Sequence, residues 1–219
     1  MADYSKIFNT NKSTFLFTGS ARGQFLNEIS DADYKKVVSA GLSGFKAKDF
    51  SILVGFMPGL KELTIEKNTK LLSLEGVHQW NLEKLSLEGC SSLKNYSQLA
   101  TLKSLKEFKS TSVPLGTEVL KYIGPKVKDL GIDPNAADIN LLSEMSGLQY
   151  LSLICEQCDH KTLPLLPKGL KSLLINGEYD NLKDASFMAN LNPKINLTIW
   201  IDTKSMKNIP SAFKNHPDF

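Results

Sequence analysis

The sequence predicts an α/β solenoid in which short parallel strands from about eight stacked repeats line one side. Three observations lead there. First, similar windows start at Val37, Leu60, Leu82, Leu105, Val127, Leu148, Leu170 and Lys194, at spacings of 21 to 24 residues. Second, apolar residues fall at positions 1, 4 and 6 of each window, in 22 of 24 cases, Ser110 and Lys194 being the exceptions. Positions 2, 3 and 5 hold only four apolar residues, Val38, Tyr150, Leu174 and Ile195; at the chain's overall hydrophobic content roughly ten would fall in each set by chance. Third, position 9 holds a small polar side chain in three windows, as Asn68, Cys90 and Asn135.

Alternation at positions 4 to 6 has the period of two expected of a strand with one buried face. One such strand cannot bury its leucines alone, and copies stacked side by side can. A small polar group at position 9 is suited to bonding backbone where the chain leaves the sheet. Val113, Glu156 and Glu178 stand at that position in the windows from 105, 148 and 170, so the ladder is irregular there.

The elements follow in chain order. Residues 1–36 read as an N-terminal cap, because an end repeat exposes its leucines. Phe15, Leu16 and Phe17 suit an extra edge strand, and Gly19 to Gly23 a turn. The window from Val37 has two readings. It is a first repeat strand, or it belongs to a short cap helix opened by Ser30 and Asp33 and closed by Gly41. Residues 37–201 are the repeats. Within them Leu93, Tyr96, Leu99 and Leu102 recur every three residues, which suits a 3₁₀-like return on the far side. Residues 202–219 read as a C-terminal cap or tail, with Ile209 and Phe213 able to dock on the last repeat.

The stretches Leu60–Leu71 and Leu82–Leu93 run L-x-x-L-x-L-x-x-N/C and then reach a further leucine. In this the chain resembles the leucine-rich repeat proteins, over most of its length. The resemblance implies a curved solenoid with a concave parallel sheet and a convex side of 3₁₀ turns or short helices.

Composition narrows the function. A net charge of +3 from 26 basic and 23 acidic residues is too even to imply a nucleic-acid partner. No apolar run approaches the ~20 residues of a membrane-spanning helix, and the N-terminus shows no signal-peptide core. Three cysteines make no disulfide framework, so a cytoplasmic, reducing setting is expected, with a monomer when free. No motif for a metal, phosphate-binding loop or nucleophile is present, and neither an enzyme nor a cofactor is expected. Cys155, Cys158 and His160 are three possible ligands in one loop where zinc wants about four, and they read as ordinary loop residues. Trp80 reads as core.

Positions 3, 5 and 7 point outward from the strands. Along position 3 Glu62, Lys84 and Glu107 alternate in sign, the pattern of a register-fixing ladder. Along position 7 Glu66 and Glu88 fall side by side, where like charges are destabilising. In the four repeats from 60 these positions hold six carboxylates, among them Glu107, Asp129 and Asp133, against two lysines. On a slightly basic chain this points to a protein partner with a basic surface. Farther on, Tyr150, Ile154, Leu174 and Trp200 replace small polar residues. They are either an apolar anchor for that partner or a surface covered by the tail. The function expected is non-catalytic protein binding on the concave face. Within the repeat family, occlusion by an inhibitor, here an immunity protein against a cognate toxin, is one form. A scaffold, an adaptor or a secreted effector is another.

Overall fold

The computed structural model describes residues 8–9, 14–18, 34–45, 47–55, 57–114, 116–155, 157–158, 161–177, 182–200, 204 and 206–217. Ser30, Asp33, Glu156, Glu178 and His160, on which sequence expectations rest, lie outside these. The chain forms two compact units, Met1–Ser112 and Val113–Phe219. Each is a stack of short repeats, with a parallel sheet on one side and short helical returns on the other.

In the first unit β1 (Phe8–Asn9) pairs antiparallel with β2 (Thr14–Thr18). From β2 onward the strands are parallel: β3 (Ser39–Ser43), β4 (Glu62–Glu66), β5 (Lys84–Glu88) and β6 (Glu107–Ser110). Residues 39–43 are therefore a repeat strand and not part of a cap helix. The alternation sets the register: Ala40, Leu63, Leu85 and Phe108 form one inward row. Leu42, Ile65 and Leu87 form the next, and all seven side chains are at most 3% exposed. Burying each leucine or isoleucine contributes about 1.5–3 kcal/mol, a gain that each strand makes only against its neighbours.

Strand starts repeat one device. The Val38 carbonyl accepts from the N–H groups of both Lys61 and Glu62, at 2.8 and 3.0 Å. The Lys61 carbonyl does the same for Glu83 and Lys84, and the Glu83 carbonyl for Lys106 and Glu107. Strand ends repeat another. Gly44, Lys67 and Gly89, equivalent residues in three repeats, all have positive φ, of 73°, 56° and 63°. Glycine suits this conformation and lysine does not. Next in sequence to Lys67, the fully buried Asn68 donates from Nδ2 to the Ala47 carbonyl at 3.1 Å and accepts from Lys70 N–H at 3.1 Å. That is the backbone-satisfying role its position predicts.

The far side returns through α1 (Ser51–Val54) and 3₁₀ turns at Val77–Gln79 and Ser97–Thr101. Leu93, Tyr96, Leu99 and Leu102 are all buried along it. Trp80 is core, packed against Phe50 with ring centroids 6.0 Å apart. The polar exception Ser110 has a physical reason: it is buried in the row of Ile65 and Leu87, where its hydroxyl meets that of Tyr96 at 3.2 Å.

The second unit holds β7 (Asp129–Ile132), β8 (Tyr150–Cys155), β9 (Ser172–Gly177) and β10 (Asn196–Trp200), all parallel. Leu130, Leu151, Leu173 and Leu197 make one inward row, and Ile132, Leu153, Ile175 and Ile199 the other. Its returns are α2 (Leu120–Ile123) and 3₁₀ turns at Gly124–Lys126, Ile139–Glu144 and Ser186–Met188. The last window needs a correction. Lys194 is exposed, and Ile195 fills the first inward position, its N–H bonded to the Asn192 carbonyl at 2.9 Å. The step from Ile195 to the strand leucine is one position shorter than in the other repeats, and only Asn196 N–H, at 3.0 Å, bonds the Lys171 carbonyl.

The tail continues the returns and not the sheet. Lys207 pairs in parallel with Asp184, donating to the Lys183 carbonyl at 2.7 Å and accepting from Ala185 N–H at 2.9 Å. Asn208 Nδ2 donates to the Asp184 carboxylate at 2.9 Å, and Met206 and Phe213 are buried. Bonds from Ser186 and Asn208 hold the Asp184 carboxyl below the usual carboxylate range.

Two stability predictions follow from these details. Lys67→Gly relieves the left-handed backbone and raises stability by about 0.5–1 kcal/mol, whereas Gly89→Ala lowers it by about 1 kcal/mol. Urea denaturation of the two variants measures both, and equal midpoints contradict the assignment. Burial also pushes Tyr34 and Tyr96 up to about 12, against an opposing bond from Ser110 at Tyr96. It pushes the Cys90 thiol up to about 11. These groups hold their protons in the folded chain at pH values where the unfolded chain releases them. Their stability is complete below pH 9 and is lost as pH rises towards 12. The urea midpoint followed from pH 8 upward stays flat below about 9 and then falls; a flat profile throughout contradicts the burial.

Candidate functional site

The outward rows fall as the sequence predicts. In the first unit Ser39, Glu62, Lys84 and Glu107 are aligned across strands, as are Gly41, Thr64, Ser86 and Lys109. Ser43, Glu66 and Glu88 form the third row. Neighbours in a row are about 4.8 Å apart.

The first row is an ion-pair ladder. Lys84 Nζ lies 3.6 Å from both Glu62 and Glu107, and Lys109 Nζ lies 2.9 Å from Glu107. Partial burial opposes ionisation of Glu107, but Lys109 and Lys84 together outweigh it and hold its carboxyl below the usual range. Glu107 is thus already neutralised within the sheet. At the strand starts Glu83 bridges Lys61 and Lys106, at 3.5 and 2.6 Å. A hydrogen bond and the charge of Lys106 lead in holding the Glu83 carboxyl low.

Glu66 and Glu88 differ. They are directly opposed in register, and neither has an ion pair with a described residue. Glu88 Oε1 accepts from the Ser86 hydroxyl at 3.2 Å. Two glutamates therefore stand side by side on paired strands, with no cation among the described residues paired to them.

In the second unit Asp129 opens β7 opposite Tyr150. Asp133 lies beyond β7, where its carboxylate accepts from Asn135 N–H at 2.9 Å. Asn135 in turn donates from Nδ2 to the Gln157 carbonyl at 2.6 Å. This carboxylate shapes the turn, so its sign alone does not mark it as a contact.

Tyr150 is 45% exposed and Trp200 64%. Ile154 and Leu174 are half-buried. Register places Leu174 between Ser152 and Thr198, and Asn176 between Ile154 and Trp200. The four apolar side chains are therefore interleaved with hydroxyls and amides. The described tail residues run on the opposite side beside Asp184 and leave Tyr150 and Trp200 open. Asn176 and Thr198 stand in the same outward rows and were not among the contact residues chosen from the sequence. Their signal was their place in rows flanked by apolar neighbours.

No family model matches the chain, and no curated protein does. Among solved structures it is similar to an internalin of Listeria monocytogenes, at 15% identity over 78% of this chain and 76% of that one, with a TM-score of 0.38. The repeat fold rests on the strand registers above.

Of the remaining sequence candidates, Cys90 and Cys158 are buried. Among the described residues no group of three or more His, Cys, Asp or Glu side chains comes together.

The like-charged pair has a measurable signature. Glu88→Gln raises stability at low salt by about 0.2–0.5 kcal/mol, and the gain disappears at high salt. Lys84→Gln moves stability the other way by a similar amount, because Lys84 serves two glutamates. Denaturant melts of both variants at two salt concentrations check this, and a gain for Lys84→Gln contradicts the ladder.

Proposed function

We propose that this chain is a non-catalytic protein-binding module that acts by occlusion, as an inhibitor or immunity protein covering the active surface of a basic toxin. The observation that carries the reading is the Glu66–Glu88 pair. A pair of adjacent carboxylates without a paired cation lowers stability, and a basic partner turns that deficit into attraction. The field of such a pair also steers a cationic partner and speeds its association. It repels phosphates, which disfavours nucleic acid on this face. The exposed Tyr150 and Trp200 support protein binding independently, since aromatic side chains on rigid strands are typical anchors.

Capture from a native lysate at low salt, followed by titration of the purified partner, tests the proposal. The expected result is one stoichiometric, basic partner whose own activity is lost on binding. Glu66→Lys with Glu88→Lys slows association about tenfold or more at low salt, with a smaller effect at high salt. Several sub-stoichiometric partners, or a bound partner that stays active, overturns inhibition in favour of a scaffold. Unchanged association for the charge-reversed variant removes the acidic face from the interface.

A further inference from the structure

We propose that the face of β8–β10 takes an extended, uncharged segment of a partner protein, with apolar side chains set against Ile154, Leu174 and Trp200 and backbone amides against Asn176. The proposal rests on the protein-binding reading above and names the ligand chemistry of one face.

The first observation is charge. Twenty-two per cent of the chain is charged, yet the outward positions of β8–β10 hold none. They are Tyr150, Ser152, Ile154, then Ser172, Leu174, Asn176, then Asn196, Thr198 and Trp200. In β4–β6 most of the equivalent positions are Glu or Lys. A face without charge offers nothing to a phosphate or a basic patch, and it does not penalise a neutral occupant for lost hydration of ions.

The second observation is the placement of Asn176. It stands in register between Ile154 and Trp200, about 4.8 Å from each strand neighbour. Its side chain makes no hydrogen bond to another described residue. An amide side chain is both donor and acceptor, as a peptide group is. A chain crossing the strands here sets side chains on Ile154 and Trp200 and a peptide group over Asn176 between them. Thr198 offers the same possibility beside Leu174. The branched aliphatics favour polypeptide over glycan, since a sugar ring stacks on flat aromatic faces and gains little from Ile154 or Leu174.

The test uses the full chain and the partner that the wild type captures, with binding kinetics measured at low and high salt. Asn176→Ala shortens residence about 3–10-fold, as expected for one hydrogen bond. Trp200→Ser shortens it about tenfold or more. Both variants keep the wild-type salt dependence and melting temperature, because both side chains lie at the surface. Wild-type residence times in both variants overturn the inference, as does a changed salt dependence or displacement of the partner by free oligosaccharide. A wild-type chain that captures no protein overturns the underlying binding reading instead, so the two failures are distinct.

Discussion

A strand of five residues with one apolar face has no stability of its own, and everything else in this molecule depends on how that is resolved. The answer is repetition at a fixed offset. At five strand starts one carbonyl accepts two N–H groups from the next repeat, as Val38 does for Lys61 and Glu62. The leucines then stand in register. A slip by one residue turns Glu62, Lys84 and Glu107 into the core and Leu63, Leu85 and Phe108 out of it. Burying unpaired ions costs several kcal/mol each, so the register has no near competitor. Because the inward rows are fixed, the outward rows are fixed with them, and the chemistry of each face is set by which residues the sequence places at alternate positions.

That is why the rows were legible in the sequence while other features were not. Period-two alternation and near-constant spacing are local signals, and they were enough to align Ser39 with Glu62, Lys84 and Glu107. Constant spacing was also misleading at the last repeat, where a turn bonded through Asn192 shortens the approach to the strand by one residue and brings Ile195 inward in place of Lys194. Ser110 was visible as an exception, but its reason, the Tyr96 hydroxyl fourteen residues earlier, depends on how the 3₁₀ return points its side chains. The tail was legible as a docking segment and not in its direction. Its path on the far side follows from Asp184, which gathers Ser186 and Asn208 and pairs with Lys207.

Charge was legible by sign and not by availability. Glu107 and Glu88 both stand outward in neighbouring strands, yet Glu107 is shared by two lysines and Glu88 by none. Asp133 is outward by count and is spent on its own turn. The alternation along the row of Glu62, Lys84 and Glu107 strengthens the sheet. The absence of alternation between Glu66 and Glu88 weakens it, on the same strands and a few ångströms away. A chain selected for stability alone has ready substitutions at the third row, and the first row shows that this sheet accommodates lysine.

The same rigidity that makes the pair unfavourable makes it useful. Flexible surface carboxylates turn away from one another and from an approaching cation's best position, and binding then has to gather them. Glu66 and Glu88 are held by backbone pairing that the buried leucine rows lock. A basic group that meets them finds both glutamates rooted on fixed neighbouring strands, so only their side-chain rotamers remain to be ordered. The strand that carries the exposed ring of Trp200 is fixed by the same means, since Leu197 and Ile199 pin β10 from beneath. Preorganisation of a face is thus a by-product of burying its other side, and a repeat fold gives every outward residue that benefit whether its neighbours are charged or neutral.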